Sequence, residues 1–361
     1  MNTYGVALRV TVFGSSHGPG IGCVVDGCPA GVEVAQEAVQ KDLDRRRPSA
    51  GIGTPRAEED VVLVQSGVHE GRTTGSPIQM YIENRDRDSS KYAAFKRTPR
   101  PGHADYPALV KFGPGHDIRG GGQFSGRMTA PLVAAGSVAK RLLITQGIRF
   151  AAYARSIGKV MDEEDRRLED VLDTVYARPT RAANDELDAR MNAEILAAKE
   201  DRDSVGGVVR CLVEGLPVGM GEPFFDTLDG ELAKLLFAIP AVKGVEFGSG
   251  FAAARSRGSE NNDAYHFVEG KVRTSTNHAG GVLGGMSNGM PLDLRVAFKP
   301  TASIPTTQRT VDLGTGKEAM LKIEGRHDPC IVPRAVVVVE AVSALAIADL
   351  MIRGGYIART C

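Results

Sequence analysis

Two distant stretches of the sequence repeat one pattern. Residues 23–31 read CVVDGCPAG and residues 211–219 read CLVEGLPVG, so each has an apolar strand, an acidic residue before glycine, and a proline turn. A helical pattern follows each stretch, at 34–47 and at 227–239, and ends before a proline. This duplication predicts an α+β fold, layered as a β-α-β sandwich, with an internal pseudo-twofold repeat of strand-turn-helix units. Two copies are too few for a solenoid.

The chain of 361 residues is predicted to form one domain made of two similar halves, at about 1–159 and 203–361. Between them lie a charged segment without periodicity, 160–183, and a polar helix at 184–201. The apolar fraction of 42% is enough for a sizeable core.

The remaining elements are predicted from hydrophobic periodicity. Strands are expected at 4–13, 61–66, 77–83, 245–256 and 291–299. Two apolar helices are expected, at 127–146 and 334–352. The second of these contains Glu340 and Asp349 and is barely long enough to span a bilayer, so we interpret it as a buried helix.

The net charge and the cysteine content indicate which kinds of binding partner and which cellular compartment are compatible with this sequence. Lysine plus arginine total 44, as do aspartate plus glutamate, so no overall field attracts nucleic acid or a membrane surface. An anion site must therefore be local. No secretory signal pattern opens the sequence, and five cysteines without CxxC spacing argue against a disulfide framework or a zinc site. A cytoplasmic location is predicted.

Residues 100–130 hold the densest set of polar groups and glycines. Three consecutive glycines at 120–122 lose much conformational entropy when they become ordered. Such a run is expected where the backbone must closely approach a ligand. Basic side chains on both flanks suggest that this ligand is an anion. An ordinary surface loop would explain one such run. Two further polar stretches, GSSHG at 14–18 and GRHDPC at 325–330, favour a binding site.

Each polar stretch has competing interpretations. GSSHG fits the nucleophile elbow of serine hydrolases, but glycine and a strand follow it instead of a helix, which argues against that class. His17 either faces a ligand or is a structural histidine. His103, with Asp105 two residues on, could hold a proton near neutral pH. Asp328 is either a base or the cap of a turn before Pro329.

A metal site is not predicted. The pairs of histidine and aspartate in these stretches lack the helical i, i+4 spacing of zinc proteases. The neighbouring arginines would also repel a cation.

Four ordered segments carry a family resemblance: RVTVFGSSHG at 9–18, RPGHADY at 100–106, KPTASI at 299–304 and GRHDPCIVPR at 325–334. Between them DLDRRRP, EGRTTGSPI, PAVKGVEFGSGF and NHAGGVLGGMSNG follow in order. From about residue 4 to residue 352 the chain resembles the chorismate synthase family. That resemblance implies conversion of 5-enolpyruvylshikimate 3-phosphate to chorismate and phosphate by 1,4-anti elimination, the last common step of the shikimate pathway, with reduced FMN that is not consumed overall.

The resemblance also implies a role for particular side chains. His17 is expected to protonate the leaving phosphate and His103 to hold a proton near the reduced flavin. Asp328 would accept a proton at flavin N5, and Ser16 and Ser125 would help to relay protons.

Binding residues are implied in the same way. Three arginines are expected to face the substrate: Arg46, Arg127 and Arg334. The expected flavin contacts are Gln123, Phe124, Ser125, Pro240, Ala241, Gly284, Lys299, Pro300, Thr301, Ala302, Ser303 and Arg326.

Two motifs depart from the family's pattern. Ser15 stands where many members have glutamate, and because Ser16 and His17 are kept we expect little effect. Residues 121–130 read GGQFSGRMTA where many members read GGRSSARETA. Compared with that pattern, one positive group, one hydroxyl and one negative group are absent, at Gln123, Phe124 and Met128. Because the opposite charges are lost together, we expect compensated repacking of this segment.

The implied partners are the substrate, an external flavin reductant and further copies of the chain. No nicotinamide fingerprint or extra domain is evident, so an external reductant is expected. The family is typically a homotetramer. Two other function classes stay open: a binding protein that holds flavin or a phosphorylated ligand without catalysis, and a metal-dependent phosphatase. Binding alone requires only the arginines, so the two histidines and the aspartate favour the enzyme.

Overall fold

Two five-stranded antiparallel sheets enclose a layer of helices in the computed structural model of this chain. The structure describes residues 1–49, 51–53, 59–85, 89, 92–172, 174–323, 325 and 327–358. Helix α3 (Thr129–Ile144) packs on the first sheet, α8 (Val332–Arg353) packs on the second, and the two helices pack against each other. The α+β class and the layering of sheets around helices agree with the sequence prediction.

The first sheet has the strand order β1-β2-β3-β7-β4. Its strands are β1 (Thr3–Tyr4), β2 (Arg9–Gly14), β3 (Gly20–Asp26), β4 (Val62–Val64) and β7 (Ile78–Glu83). The second sheet has the order β11-β16-β10-β8-β9. Its strands are β8 (Arg149–Ile157), β9 (Val160–Met161), β10 (Gly207–Glu214), β11 (Val242–Phe247) and β16 (Leu292–Phe298).

The described residues also form four small two-stranded hairpins. They pair β5 (Val68–His69) with β6 (Arg72–Thr73), β12 (Tyr265–Val268) with β13 (Lys271–Thr274), β14 (Val282–Leu283) with β15 (Met286–Ser287), and β17 (Gln308–Asp312) with β18 (Lys317–Leu321). The other α-helices are α1 (Gln36–Arg45), α2 (Asp105–Phe112), α4 (Leu168–Val171), α5 (Asp185–Glu200), α6 (Leu228–Leu236) and α7 (Gly258–Asn261).

The two repeated sequence units occupy corresponding positions. β3 is the central strand of the first sheet and β10 is the central strand of the second, and each pairs antiparallel with both of its neighbours. The pseudo-twofold relation itself stays a prediction, as does the division into halves. β8 pairs with β10, so one strand of the predicted first half belongs to the second sheet.

Alternation along the strands explains which face is buried. In β16, Leu292, Leu294, Val296 and Phe298 are buried and the residues between them are partly exposed, the period of two expected when one face packs on the helices. Nearly every side chain of α8 is buried, because this helix is covered by the second sheet and by α3 and α6. α8 has the length and composition of a membrane span, but it is buried inside the protein, as the sequence predicted.

A buried network of ion pairs joins the helices of the central layer. The Lys140 ammonium of α3 lies 2.9 Å from Asp42 of α1 and 3.3 Å from Glu340 of α8. Glu340 also accepts the backbone N–H of Ala152 in β8 at 3.0 Å. These contacts offset the cost of burying charge and connect α1, α3, α8 and the second sheet. They hold α1 against α3 and α8, and Arg46 directly follows α1.

Three predicted segments differ in the structure. The expected strand 4–13 is two short strands, β1 and β2, separated by residues 5–8, where Gly5 has a positive φ. The expected strand 245–256 ends at Phe247, because Gly248 and Gly250 adopt positive φ and residues Gly250–Arg255 turn into a 3-10 helix. Segment 160–183 is not structureless: it forms β9, α4 and a 3-10 turn, and Leu168, Val171 and Val175 are buried. Because charged residues dominate this segment, the few apolar residues that pack against the core give no clear hydrophobic pattern in the sequence.

The α3–α8 crossing depends on Gly136. A Cβ added there would lie 2.4 Å from the Ala341 Cβ, so the two helices approach too closely for any larger residue. We expect Gly136→Ala to lower the free energy of unfolding by about 1–3 kcal/mol through overpacking. Urea denaturation measures the change, and Gly258→Ala, where a Cβ meets nothing within 4 Å, is the control and should stay within about 0.5 kcal/mol. Equal stability of both variants would contradict this packing.

Candidate active site

A cavity of about 690 Å³ opens where the C-terminal end of α1, the loop before α3 and the start of α8 meet. Its wall also includes the residues after α6 and those after β16. The three polar stretches found in the sequence thus approach one another, although they lie far apart along the chain. The lining includes Arg46, Arg127, Arg334, His103, Asp328, Ser125, Gln123, Phe124, Pro240, Ala241, Lys299, Thr301, Ala302 and Ser303.

Two of the predicted substrate arginines share one carboxylate. Arg46 and Arg127 are both buried, and each forms an ion pair with Asp60, the Arg127 pair at 2.7 Å. Arg127 also donates from Nε to the Asn84 side chain at 2.6 Å, and Arg46 donates to the Thr129 hydroxyl at 3.3 Å. Within the described part of the chain, the buried Nε of Arg46 has no hydrogen-bond partner. An unpaired buried donor of this kind is costly without an acceptor from a ligand.

The Asp60 carboxyl gives the acid sensitivity of this cluster. Burial alone would raise its pKa, but Arg46 and Arg127 outweigh burial and lower the pKa from 3.8 to about 2. Because the pKa of Asp60 is lower in the folded than in the unfolded state, its ionised carboxylate stabilises the fold above pH 4. That stabilisation is lost as the pH falls toward 2. We expect wild-type stability to fall between pH 7 and pH 3 by about 1 kcal/mol more than that of Asp60→Asn. Urea unfolding at both pH values measures this, and equal pH dependence would contradict it.

The third predicted arginine is paired with the predicted base. Arg334 donates to the Asp328 carboxylate at 2.6 Å and to the backbone carbonyl of Arg46 at 3.1 Å. Both side chains line the cavity, at the first turn of α8 and just before it. The Asp328 carboxylate is therefore held in place by a cation, while Arg334 also connects the start of α8 to the end of α1.

His103 is oriented by a buried ion pair. Its Nδ1 lies 2.6 Å from the Asp105 carboxylate, which Arg100 also binds through Nε at 2.7 Å and through a second nitrogen at 2.8 Å. Burial would raise the pKa of Asp105, but Arg100 and His103 lower it well below its usual range. Arg100 in turn donates to the Ser303 hydroxyl at 3.2 Å and stacks over the Phe95 ring at 4.6 Å. The Arg100 guanidinium also lies 3.1 Å from the His103 Nδ1. The ionised carboxylate and the guanidinium together hold this side of the imidazole ring, and Nε2 faces Gly121.

His17 and Ser16 adjoin Gly120, the member of the triple glycine that lines the cavity. Gly120, Gly121 and Gly122 all have positive φ. A Cβ on Gly120 would lie 2.1 Å from the His17 ring and 2.6 Å from the Ser16 hydroxyl. Both side chains are buried, so His17 lies directly behind the cavity wall rather than in the described lining. Its Nδ1 is 2.8 Å from the Ser89 hydroxyl.

One side of the cavity suits a flat aromatic ring with a phosphate tail. Apolar side chains of Ile239, Phe298, Ile331 and Val338 form its wall. Lys299 and Lys243 lie at the same side, where burial and the neighbouring Lys243 lower the pKa of Lys299. Two close cations can bind an anionic group, and apolar side chains can pack against a flat ring.

Several predicted flavin contacts have other positions. Gly284 lies in the turn between β14 and β15, whose Leu283 and Met286 border a separate depression, so it is not in the described lining of this cavity. Pro300 lies between two lining residues without lining the cavity itself. Arg326 lies outside the described residues.

Several side chains at this site were not predicted from the sequence, among them Asp60, Asn84, Lys243 and Phe237. Asp60 follows two glutamates at 58–59 and reads as a surface acid. Its contact with Arg127 depends on tertiary structure and has no local signal. Arg100 was visible only as the basic flank of a loop, and its bond to Asp105 could have been suspected from the spacing.

Comparison with known proteins agrees with the sequence motifs. The family model described as chorismate synthase matches residues 8–352. The chorismate synthase of Korarchaeum cryptofilum is 50% identical over 97% of both chains, and that of Methanosarcina mazei is 48% identical over 99% of this chain and 97% of its own. A crystal structure of chorismate synthase superposes with a TM-score of 0.78 at 30% identity, over 97% of this chain and 93% of its own. This chain belongs to the chorismate synthase family.

Proposed function

We propose that the cavity is the active site and that it binds 5-enolpyruvylshikimate 3-phosphate beside reduced FMN. The family's reaction converts this substrate to chorismate and phosphate in the shikimate pathway, so the enzyme is a carbon–oxygen lyase. The observation that carries the proposal is the meeting of three arginines, His103 and Asp328 in one cavity next to an apolar wall. The alternative of a pure binding protein gives no reason for the oriented His103–Asp105 pair.

The substrate carries two carboxylates and a phosphate, and the arginines supply matching donors. Arg46, Arg127 and Arg334 surround the polar end of the cavity. Guanidinium groups bind such anions through paired, charge-assisted hydrogen bonds. The whole chain has no net charge, so this local cluster is what attracts a ligand with three anionic groups.

The apolar wall and the two lysines suit FMN. Bound reduced flavin supplies electron density transiently to the reacting ring and recovers it, which is why no flavin is consumed. Ile239, Phe298 and Val338 exclude water from that side, while Lys299 and Lys243 provide charge for the flavin phosphate. Gln123, Phe124, Ala241 and the 301–303 segment complete the proposed contacts.

The remaining polar side chains bind and transfer protons. His103 presents Nε2 next to Gly121, with Nδ1 fixed by Asp105, so it can hold a proton at the cavity surface. Arg334 holds the Asp328 carboxylate, which would accept a proton at flavin N5. His17 and Ser16, behind Gly120, would supply a proton for the departing phosphate, and Ser125 would help to relay it. Phosphate leaves more readily when it is protonated.

An anaerobic phosphate-release assay tests this function. Phosphate should form from 5-enolpyruvylshikimate 3-phosphate only when reduced FMN is present, and a chelator should have no effect. Release without flavin, abolished by a chelator, would indicate a metal-dependent phosphatase and overturn the proposal. Flavin binding with no release under any condition would indicate a binding protein.

Assembly, reductant and compartment are further parts of the proposal. A homotetramer is supported by exposed apolar side chains at Phe224, Phe225, Phe267 and Met320. The flavin is reduced by an external reductant. A cytoplasmic location suits Cys23, Cys28, Cys211 and Cys330, which are free and buried, and burial raises the pKa of the Cys23 thiol to about 12. Light scattering of the purified protein tests the tetramer.

A further inference from the structure

Asp60 is a carboxylate inside a site for anionic ligands. Its side chain is only 2% exposed, and its two oxygens bind Arg46 and Arg127, one each. Its backbone has φ of 45°, in the left-handed region that residues other than glycine seldom adopt. A negative charge at this position opposes binding of the substrate's carboxylates and phosphate, so its presence calls for another function.

The neighbouring charges indicate what that function is. Arg46 is repelled by Arg334 and Arg127, and burial further disfavours its charge. Two buried guanidinium groups without a shared counterion would move apart or turn toward other acceptors, such as the carboxylate of Asp328. Asp60 prevents this, because one short side chain binds both groups and thereby sets the distance between them.

We propose that Asp60 is a positioning residue for the lyase reaction: it fixes Arg46 and Arg127 in the spacing that aligns the substrate, and it limits the positive charge so that phosphate is released. This role rests on the proposed assignment of both arginines to the substrate. Asn84 supports the arrangement from the other side, since it binds the Nε of Arg127 at 2.6 Å.

The neutral variant Asp60→Asn keeps the shape of the side chain and removes its charge. We expect kcat to fall at least about 10-fold because the substrate is misaligned. We also expect inorganic phosphate to inhibit about 3- to 10-fold more tightly, since one opposing charge is gone. A merely structural role would lower the folded fraction, but kcat per folded enzyme and the phosphate inhibition constant would stay at their wild-type values.

The experiment measures steady-state kinetics with reduced FMN and inhibition by inorganic phosphate for wild type, Asp60→Asn and Asp60→Glu. Asp60→Glu keeps the charge and shifts it, so kcat should fall while phosphate inhibition stays near the wild-type value; this variant carries the test if Asp60→Asn does not fold. Unchanged kcat in the folded variants, or weaker phosphate inhibition in Asp60→Asn, would overturn the inference. Arg46→Ala and Arg127→Ala distinguish a failure of this inference from a failure of the proposed function. If neither variant raises KM for the substrate, the proposed substrate-binding role of the arginines is wrong.

Discussion

Replacing Asp328 with asparagine lowers kcat by about 10²- to 10⁴-fold, the range that removal of a general acid or base produces. The Asp328 carboxylate lines the cavity and is held by Arg334 at 2.6 Å. Asparagine keeps the size of the side chain but can neither accept a proton nor attract the arginine. Turnover is measured anaerobically with reduced FMN, and flavin binding is followed by fluorescence quenching.

The matched control is Asp165→Asn. Asp165 pairs with Arg210 at 2.6 Å, but its side chain is 92% exposed and it does not line the cavity. The control should keep wild-type turnover, and Asp328→Asn should still bind flavin. Wild-type kcat in Asp328→Asn would remove this carboxylate from the mechanism. A loss of flavin binding equal to the loss of turnover would assign it to the cofactor site alone.

Replacing Gly120 with alanine lowers kcat/KM at least about 100-fold, because a displaced catalytic group loses its alignment. The added Cβ would lie 2.1 Å from the His17 ring and 2.6 Å from the Ser16 hydroxyl, and the φ of 60° disfavours any side chain. The backbone or His17 must therefore move. The measurement is phosphate release together with urea denaturation, so that a loss of fold is separated from a loss of activity.

Gly115→Ala is the control for this effect. Gly115 lies in the same segment, is exposed, has no positive φ, and its Cβ would meet nothing within 4 Å. Its activity should equal that of the wild type. Full activity in Gly120→Ala would show that the contact between Gly120 and His17 has no part in the reaction.

The sequence allowed the core of the site to be predicted, because its residues lie in motifs with local signals. Glycine runs, a histidine near an aspartate and arginines at helix ends are visible without coordinates. Such signals pointed to His103 and to the glycine run, whereas Asp328 and Arg127 were assigned through the family resemblance. Hydrophobic periodicity located α3 and α8, whose ends differ from prediction by about two residues.

The rest depended on long-range contacts. Asp60 and Arg127 pair across 67 positions, and no local pattern separates Asp60 from a surface acid. His17 lies behind Gly120 only because the loop before α3 folds over residues 15–18. Gly284 shares the glycine-rich character of the site but lies in a hairpin turn at another depression. A motif therefore indicates the chemistry that a segment can perform, but it does not indicate which surface of the folded protein the segment reaches.

The central claim is that one cavity holds substrate and flavin side by side. The most direct measurement is a crystal structure of the enzyme with oxidised FMN and 5-enolpyruvylshikimate 3-phosphate. The flavin ring should lie against Ile331 and Val338, and the anionic groups of the substrate should lie on Arg46, Arg127 and Arg334. Either ligand bound elsewhere, for example in the depression beside Val218 and Met286, would contradict it.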